Sequence, residues 1–344
     1  RFVSTELHQF FNLFFEMDCF GVREKILLYA GNSCLSSPLV FMTLGKIYLK
    51  KFNLPGQSAG NFHSSTTASA SAKNTFNSSI NLPKISVHVP KHKSFLKDSD
   101  FGYFLAGLIE GGGIFGFNYL QIDFYEKNIS LAYLIKKRIG FGTVSKIKEN
   151  NTDKKAVRYL CTHTKGLAYI LSLINGKFVS NIKYEQLIKH NFNKTFNCEI
   201  LPPLQAISLD NFWLAGFTQA EGCFHIKLAK SNTLKTGFSV RLEFSIIQKD
   251  ERPLKLLYSI FNKGQLSQLN NQLWCYKSTG FLTAALLIDY FDSFNLFGGQ
   301  YIDYLKFRKV YLMITEGKHL DEKGILKIKS IANKGSSETS TQEV

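Results

Sequence analysis

A chain of 344 residues can hold one large domain or two small ones. Its 42 Lys and Arg against 26 Asp and Glu leave a net charge of +16, a surplus that repels itself unless a polyanion is the partner, so nucleic acid is the first candidate and an anionic membrane surface the second. Hydrophobic residues make up 44% of the chain, yet apolar runs such as 10–15 and 281–288 fall far short of the ~20 residues a bilayer span needs.

In chain order, residues 1–55 mix apolar runs with basic residues and lack a clear period, and read as an N-terminal extension of unassigned role. Residues 56–97 open on GQSAGNFHSSTTASASAKNTFNSSINL, rich in Ser, Thr, Ala and Asn. With little to bury, such a segment cannot offset its ordering entropy and is expected to be a flexible linker. Strong periodicity then covers two stretches, 98–200 and 201–318, and the tail 319–344 is expected to be partly disordered. The chain opens on Arg1, as a piece of a longer fused reading frame would.

The periodic zone repeats itself. Each half starts with an apolar helix containing Leu-Ala-Gly: FLAGLIEGGGIF at 104–115 and WLAGFTQAEGCF at 213–224. Strand-like alternation follows and ends in a polar-Lys-polar turn, Glu126-Lys127-Asn128 in one half and Gln248-Lys249-Asp250 in the other. Lys127 to Gly142 and Lys249 to Gly264 both span 15 positions. Two further strands and closing helices complete each unit. The order α-β-β-α-β-β-α, duplicated in tandem, predicts an α+β fold with two antiparallel sheets.

Within the strands, Phe238, Val240, Leu242, Phe244 and Ile246 alternate with Ser239, Arg241, Glu243 and Ser245. One face therefore packs on helices and the other meets solvent or a ligand. His225 and Lys227 extend that polar face, with Gln248 at its end. In the first half Tyr119, Gln121, Asp123 and Tyr125 oppose Leu120, Ile122 and Phe124. A sheet face of this chemistry suits base edges in a major groove, although alternation alone is equally met by a solvated face. The first hairpin is shorter: Gly113 to Lys127 covers 14 positions, Gly222 to Lys249 covers 27. Fewer base contacts are expected from the first half.

Gly within a helix costs about 1 kcal/mol relative to Ala, so Gly107 and Gly216 call for a packing reason. Packing the two Leu-Ala-Gly helices on each other supplies one, with Ala106, Gly107, Ala215 and Gly216 at the contact. That would bring the C-terminal ends, 110–113 and 219–222, side by side. Carboxylates gathered at the negative ends of helices are costly unless a divalent cation such as Mg²⁺ lies between them, and metal-assisted phosphodiester hydrolysis uses such an arrangement.

The two motifs within one repeat resemble those of the LAGLIDADG homing endonucleases and the related group I intron maturases, over roughly residues 100–315. The resemblance implies a monomer with pseudo-twofold symmetry. Its two sheets would form a saddle over double-stranded DNA, and its motif helices would form the central interface. It implies Mg²⁺-dependent cleavage of a long DNA site or, for a maturase, assistance to group I intron RNA, in a mitochondrial setting. The family's metal-binding acid falls on the eighth motif position, which is Glu221 in the second motif and Gly112, a residue with no side chain, in the first. Glu110 falls on the sixth position, where the family's residue is structural, and Gln219 is its counterpart.

Three readings follow at this point: a cleavage-impaired or nicking DNA-binding protein, an RNA maturase, or a nuclease in which Glu110 reaches the metal through the flexible Gly111-Gly112-Gly113 run. A scaffold protein of an organellar ribonucleoprotein is a further class. The resemblance also places a basic residue before the last helix of each half; Lys183 matches in the first, while Gln300 stands there in the second, with Lys277 nearby. Six scattered cysteines form no C-x-x-C pair and point to buried free thiols in a reducing compartment. Abundant Phe, Asn, Lys and Ile, with 31 Phe alone, match AT-rich codons of an organellar genome. His88 and His92 are separated by Pro90, which breaks the helix that would align them, and are expected in a surface loop.

Overall fold

The computed structural model describes residues 83–95, 97–148, 155–270 and 272–333, together with two strands near the N-terminus. Those strands, β1 (Phe14–Cys19) and β2 (Val22–Leu27), form an antiparallel hairpin within a separate unit spanning Arg1–Ser58. The linker expected at 56–82 lies outside the described residues.

The first repeat begins with α1 (Asp98–Gly112), whose first turn carries Asp98 and Asp100 at the dipole's positive end. It passes directly into β3 (Gly113–Gly116) and β4 (Tyr119–Tyr125), joined by a tight turn in which Asn118 adopts φ 59°. Next comes α2 (Ile129–Ile139), closed by Gly140 in the left-handed conformation after three basic residues in its last turn. Then β5 (Thr143–Lys148), β6 (Lys155–Cys161), α3 (Thr164–Ile174), α4 (Asn181–Lys189) and the single turn α5 (Phe192–Thr195) complete the unit.

The second repeat runs α6 (Trp213–Glu221), β7 (Gly222–Lys230), β8 (Phe238–Gln248), α7 (Glu251–Phe261), β9 (Gln265–Asn270), β10 (Leu273–Ser278), α8 (Phe281–Ser293) and α9 (Gly298–Thr315). Each repeat forms one four-stranded antiparallel sheet, ordered β3-β4-β6-β5 and β7-β8-β10-β9, so the α+β duplication stands as the sequence indicates. The first hairpin pairs strands of 4 and 7 residues, the second strands of 9 and 11. Alternate strand residues such as Leu120, Ile122, Leu242, Phe244 and Ile246 join the buried core beneath the helices. No helix among the described residues is long and apolar enough to cross a membrane.

One boundary differs from the sequence expectation. Residues 83–95, assigned to the linker, lie against the second repeat. Arg308 donates to the Ser86 and His88 carbonyl oxygens at 2.7 and 3.0 Å while its guanidinium grips Asp292. Phe95 stacks on Phe104 and meets Phe212 edge-on. Arg308 and Phe212 lie far along the chain, so local composition could not show these contacts. In the tail, α10 (Glu322–Asn333) forms and buries Ile325 and Ile328.

Candidate nucleic-acid interface and catalytic centre

The motif helices α1 and α6 pack along their length, and their glycines are the reason they can. A Cβ on Gly107 would fall against the Trp213 carbonyl oxygen, and a Cβ on Gly216 against that of Phe104. The two contacts are the same contact related by the pseudo-twofold axis. Ala106 and Ala215 are fully buried beside them.

One turn further on, the sixth motif residues do matching structural work. Both oxygens of Glu110 accept backbone N–H groups, from Val179 at 2.7 Å and Ser180 at 2.6 Å, at the entrance to α4. Gln219 does the same at the entrance to α9, accepting from Phe297 N at 2.8 Å and donating to Phe297 O. The reading in which Glu110 swings to a metal is therefore corrected: its carboxylate is buried and committed to α4. Burial raises its pKa, opposed by those two N–H groups and by Lys183.

At the helix ends the halves touch. The built Cβ of Gly111 meets the Ala220 and Glu221 side chains, and that of Gly112 lies 3.7 Å from Ala220 Cβ. Lys183, buried on the first turn of α4, donates to Gly113 O at 2.5 Å. Gln300, on the first turn of α9, reaches Gly222 O, the matching atom of the other half. Burial lowers the Lys183 pKa, while attraction to Glu110 and Glu221 raises it and repulsion from Lys249 lowers it further. Burial lowers the Lys249 pKa as well. Glu221 of the second half, Lys249 of the second and Lys183 of the first thus share one electrostatic neighbourhood.

The mirror neighbourhood is stripped. Gly112 supplies no carboxylate, and Gln300 supplies no charge. Lys127, the counterpart of Lys249, lies along Gly299 and pairs with Asp303 at 3.8 Å. A side chain at position 112 would meet only ordinary contacts, the Asp123 carbonyl oxygen being 3.9 Å from its Cβ. Among the described residues no three His, Cys, Asp or Glu side chains converge as a metal cage.

The solvent faces of the sheets carry most of the residues expected there. In the second, Glu243 sits opposite His225 in register. It is buried rather than open to a ligand, because Lys227 and Lys277 close over it at 2.8 and 3.1 Å. Those two lysines form the outer surface, and sequence parity alone did not bring Lys277 beside Lys227. Arg241 shares the face, whereas Ser239 is corrected: it is buried, and its hydroxyl donates to Ala229 O on the neighbouring strand. Burial lowers the pKa of half-buried His225, and its Nε2 has no hydrogen-bond partner among the described residues. In the first sheet, Arg158 grips Asp123 through two bonds of 2.8 and 3.0 Å, and Gln121 donates to the same carboxylate. Tyr119 is half-buried and Tyr125 exposed on the same parity. Gln248 is corrected: its parity is that of Phe244 and Ile246, and its amide donates to Glu110 O at 3.2 Å, so it ties the two halves together.

Residues 214–311 match the model of the LAGLIDADG endonuclease family. An uncharacterized 37.2 kDa protein of cox1 intron 2 from Schizosaccharomyces pombe is 39% identical over 322 residues, covering 88% of this chain and 95% of that protein. The chain belongs to the LAGLIDADG endonuclease family.

Probable intron-encoded endonuclease 4 of Neurospora crassa is 28% identical, covering 74% of this chain, which spans only 47% of that longer relative. Two solved structures share the fold. The LAGLIDADG meganuclease I-AabMI bound to uncleaved DNA has 24% identity and a TM-score of 0.52, over 67% of this chain and 98% of that one. The homing endonuclease I-LtrWI bound to target DNA has 21% identity and a TM-score of 0.52, over 69% and 98%.

Proposed function

We propose that the chain is a monomeric, intron-encoded homing endonuclease of the mitochondrion that binds a long double-stranded DNA site across both sheets and nicks one strand. The observation that carries this reading is the asymmetry between the two helix ends. Glu221 acts electrostatically on Lys183, which Lys249 also repels, whereas Gly112 has no side chain, Gln300 holds the position matching Lys183 without a charge, and Lys127, the counterpart of Lys249, is paired with Asp303. The donor set fits one Mg²⁺ held through the Glu221 carboxylate, with water and phosphate oxygens as its remaining ligands. When bound, the metal supplies an activated water and charge neutralisation at the phosphate.

The chain's own residues do the rest. Lys183, fixed by Gly113 O, supplies a positive charge that interacts with Glu221 and would offset negative charge developing on the attacked phosphate. Lys249 adds a second positive charge from the opposite half. The sheet surfaces hold the duplex: Lys227, Lys277 and Arg241 on one side, Arg158, Gln121 and Tyr125 on the other. Names of the relatives place them in introns of cox1 and ND4, and the organellar assignment rests on those names and on the codon bias.

The test is incubation with supercoiled plasmid carrying the insertion-site sequence and Mg²⁺. Open-circular product without linear product is expected, and Glu221→Gln should abolish it. Efficient linearisation by the natural chain would refute the one-strand reading.

A further inference from the structure

A cleft of about 710 Å³ lies between the turn that joins β7 to β8 and the C-terminal helix α10. Four lysines line it: Lys235 from the turn, Lys318 from the short helix before α10, and Lys323 and Lys327 from α10 itself. All four are exposed. Lys318 has Glu316 beside it. Among the described residues no ion pair is formed by Lys235, Lys323 or Lys327, although Asp321 and Glu322 also line the cleft. Asp321 is engaged in capping α10, its carboxylate accepting Gly324 N at 2.7 Å.

Lys323 and Lys327 stand four apart on one helix, an arrangement that weakens an isolated helix by repulsion. The helix is nevertheless held in place. Ile325 and Ile328 are buried, and Lys329 lies 3.5 Å over the Phe238 ring at the start of β8. Lys323 and Lys327 are therefore presented at a fixed position relative to the second sheet, and among the described residues they and Lys235 form no ion pair. Fixed, repelling cations around an open cleft suit an anion of extended shape.

We propose that this cleft takes the sugar-phosphate backbone of the duplex where it leaves the second sheet, outside the saddle surface. The inference rests on the DNA-binding reading above. β7 starts at the motif helix and runs for 9 residues before the turn, a length of roughly 30 Å at ~3.3 Å per residue. At ~3.4 Å of axial rise per base pair, the cleft stands about nine base pairs from the centre of the site. The short first hairpin has no counterpart: its turn is only Phe117-Asn118, with no lysine in it. Contacts of this kind belong to the second half's flank alone.

The experiment compares the natural chain with the triple variant Lys235→Gln, Lys323→Gln, Lys327→Gln, and with the matching triple Arg variant. Binding to an insertion-site duplex is measured from low to moderate salt, with hydroxyl-radical protection of both flanks. Three lost phosphate contacts should lower the slope of log K against log salt by about 2.7. Protection about nine base pairs out should vanish on the second half's flank only, and the Arg variant should retain both. All substituted positions are exposed, so thermal melts of the three proteins should coincide. If the natural chain binds and the Gln variant shows the same slope and protection, the cleft proposal is overturned and the DNA-binding reading stands. If the natural chain binds no such duplex, both fall.

Discussion

Replacing either helix glycine at the pseudo-twofold axis by alanine sets two effects against each other. Helix propensity alone makes Gly107→Ala or Gly216→Ala stabilising by about 1 kcal/mol. The packing opposes it. The new Cβ would lie 2.0 Å from Trp213 O at position 107 and 1.9 Å from Phe104 O at position 216, with backbone nitrogens of Phe217 and Leu108 both at 2.8 Å. Ordinary contact begins near 3.4 Å, so the helices must part by about 1.5 Å at that point. The obstacle is backbone, and no rotamer change relieves it. Parting the helices opens gaps beside Leu105, Leu108, Trp213 and Phe217, all at most 1% exposed. Overpacking costs about 1–3 kcal/mol, and a clash with backbone belongs at the upper end. Each substitution should therefore destabilise by about 2 kcal/mol net.

Urea denaturation followed by far-ultraviolet circular dichroism measures this directly. The double variant should cost less than twice a single one, because a separation made once serves both sites. Gly112→Ala is the internal control. Its Cβ has neighbours only at 3.7 and 3.9 Å, and its midpoint should shift by no more than about 0.5 kcal/mol. A midpoint raised by Gly107→Ala or Gly216→Ala would refute the close approach of the helices.

Three further outcomes are expected. Gly112→Asp alone should leave the plasmid product nicked, whereas Gly112→Asp with Gln300→Lys should yield linear product, because both the acid and the charge are missing from that end; linear product from the single variant would show that Gln300 does not matter. Glu110→Ala leaves the Val179 and Ser180 N–H groups without an acceptor and Lys183 without a buried counter-charge, and should cost about 3 kcal/mol by urea midpoint. Glu110→Gln should cost less, since Gln219 fills the equivalent place, and equal costs would argue against the capping role. Burial lowers the His225 pKa, so below the unfolded value near 6.5 the unfolded chain takes up a proton that the folded chain resists. Stability should fall as pH drops through that value toward the lowered folded one, and His225→Gln should flatten the fall; parallel pH profiles would count against it.

Much of the fold was legible because its signals are periodic and duplicated. The order of elements, the unequal hairpins and the glycine contact between α1 and α6 follow from spacing and from the cost of glycine within a helix. At the site, Glu110 and Gln219 fall on the motif position that the resemblance marks as structural, and each binds a peptide group at the start of a helix. Parity itself puts Gln248 on the core side of β8, against its expected place on the polar face, and the residue bonds across the halves; parity overstated Glu243, whose charge is covered by lysines from two other strands. Neither neighbour is close in sequence. The same limit explains residues 83–95: their composition is that of a linker, but Arg308, more than 200 positions away, supplies the carbonyl partners that hold them.

The contacts that enforce the twofold arrangement are almost all made to backbone. Gly107 and Gly216 admit carbonyl oxygens, Glu110 and Gln219 bind the peptide groups that start α4 and α9, and Lys183 and Gln300 each donate to a glycine carbonyl. Such contacts constrain shape and hydrogen-bonding capacity but not charge. A lysine and a glutamine satisfy the same carbonyl, and a carboxylate and an amide satisfy the same loop. Positions 112 and 221 lie beyond the glycine contact, where a side chain is accommodated but not required. The packing therefore holds both halves to one geometry while leaving their chemistry independent, and this is how a nearly symmetric scaffold carries an acid and two lysines at one end and neither a carboxylate nor an unpaired charge on Lys127 at the other.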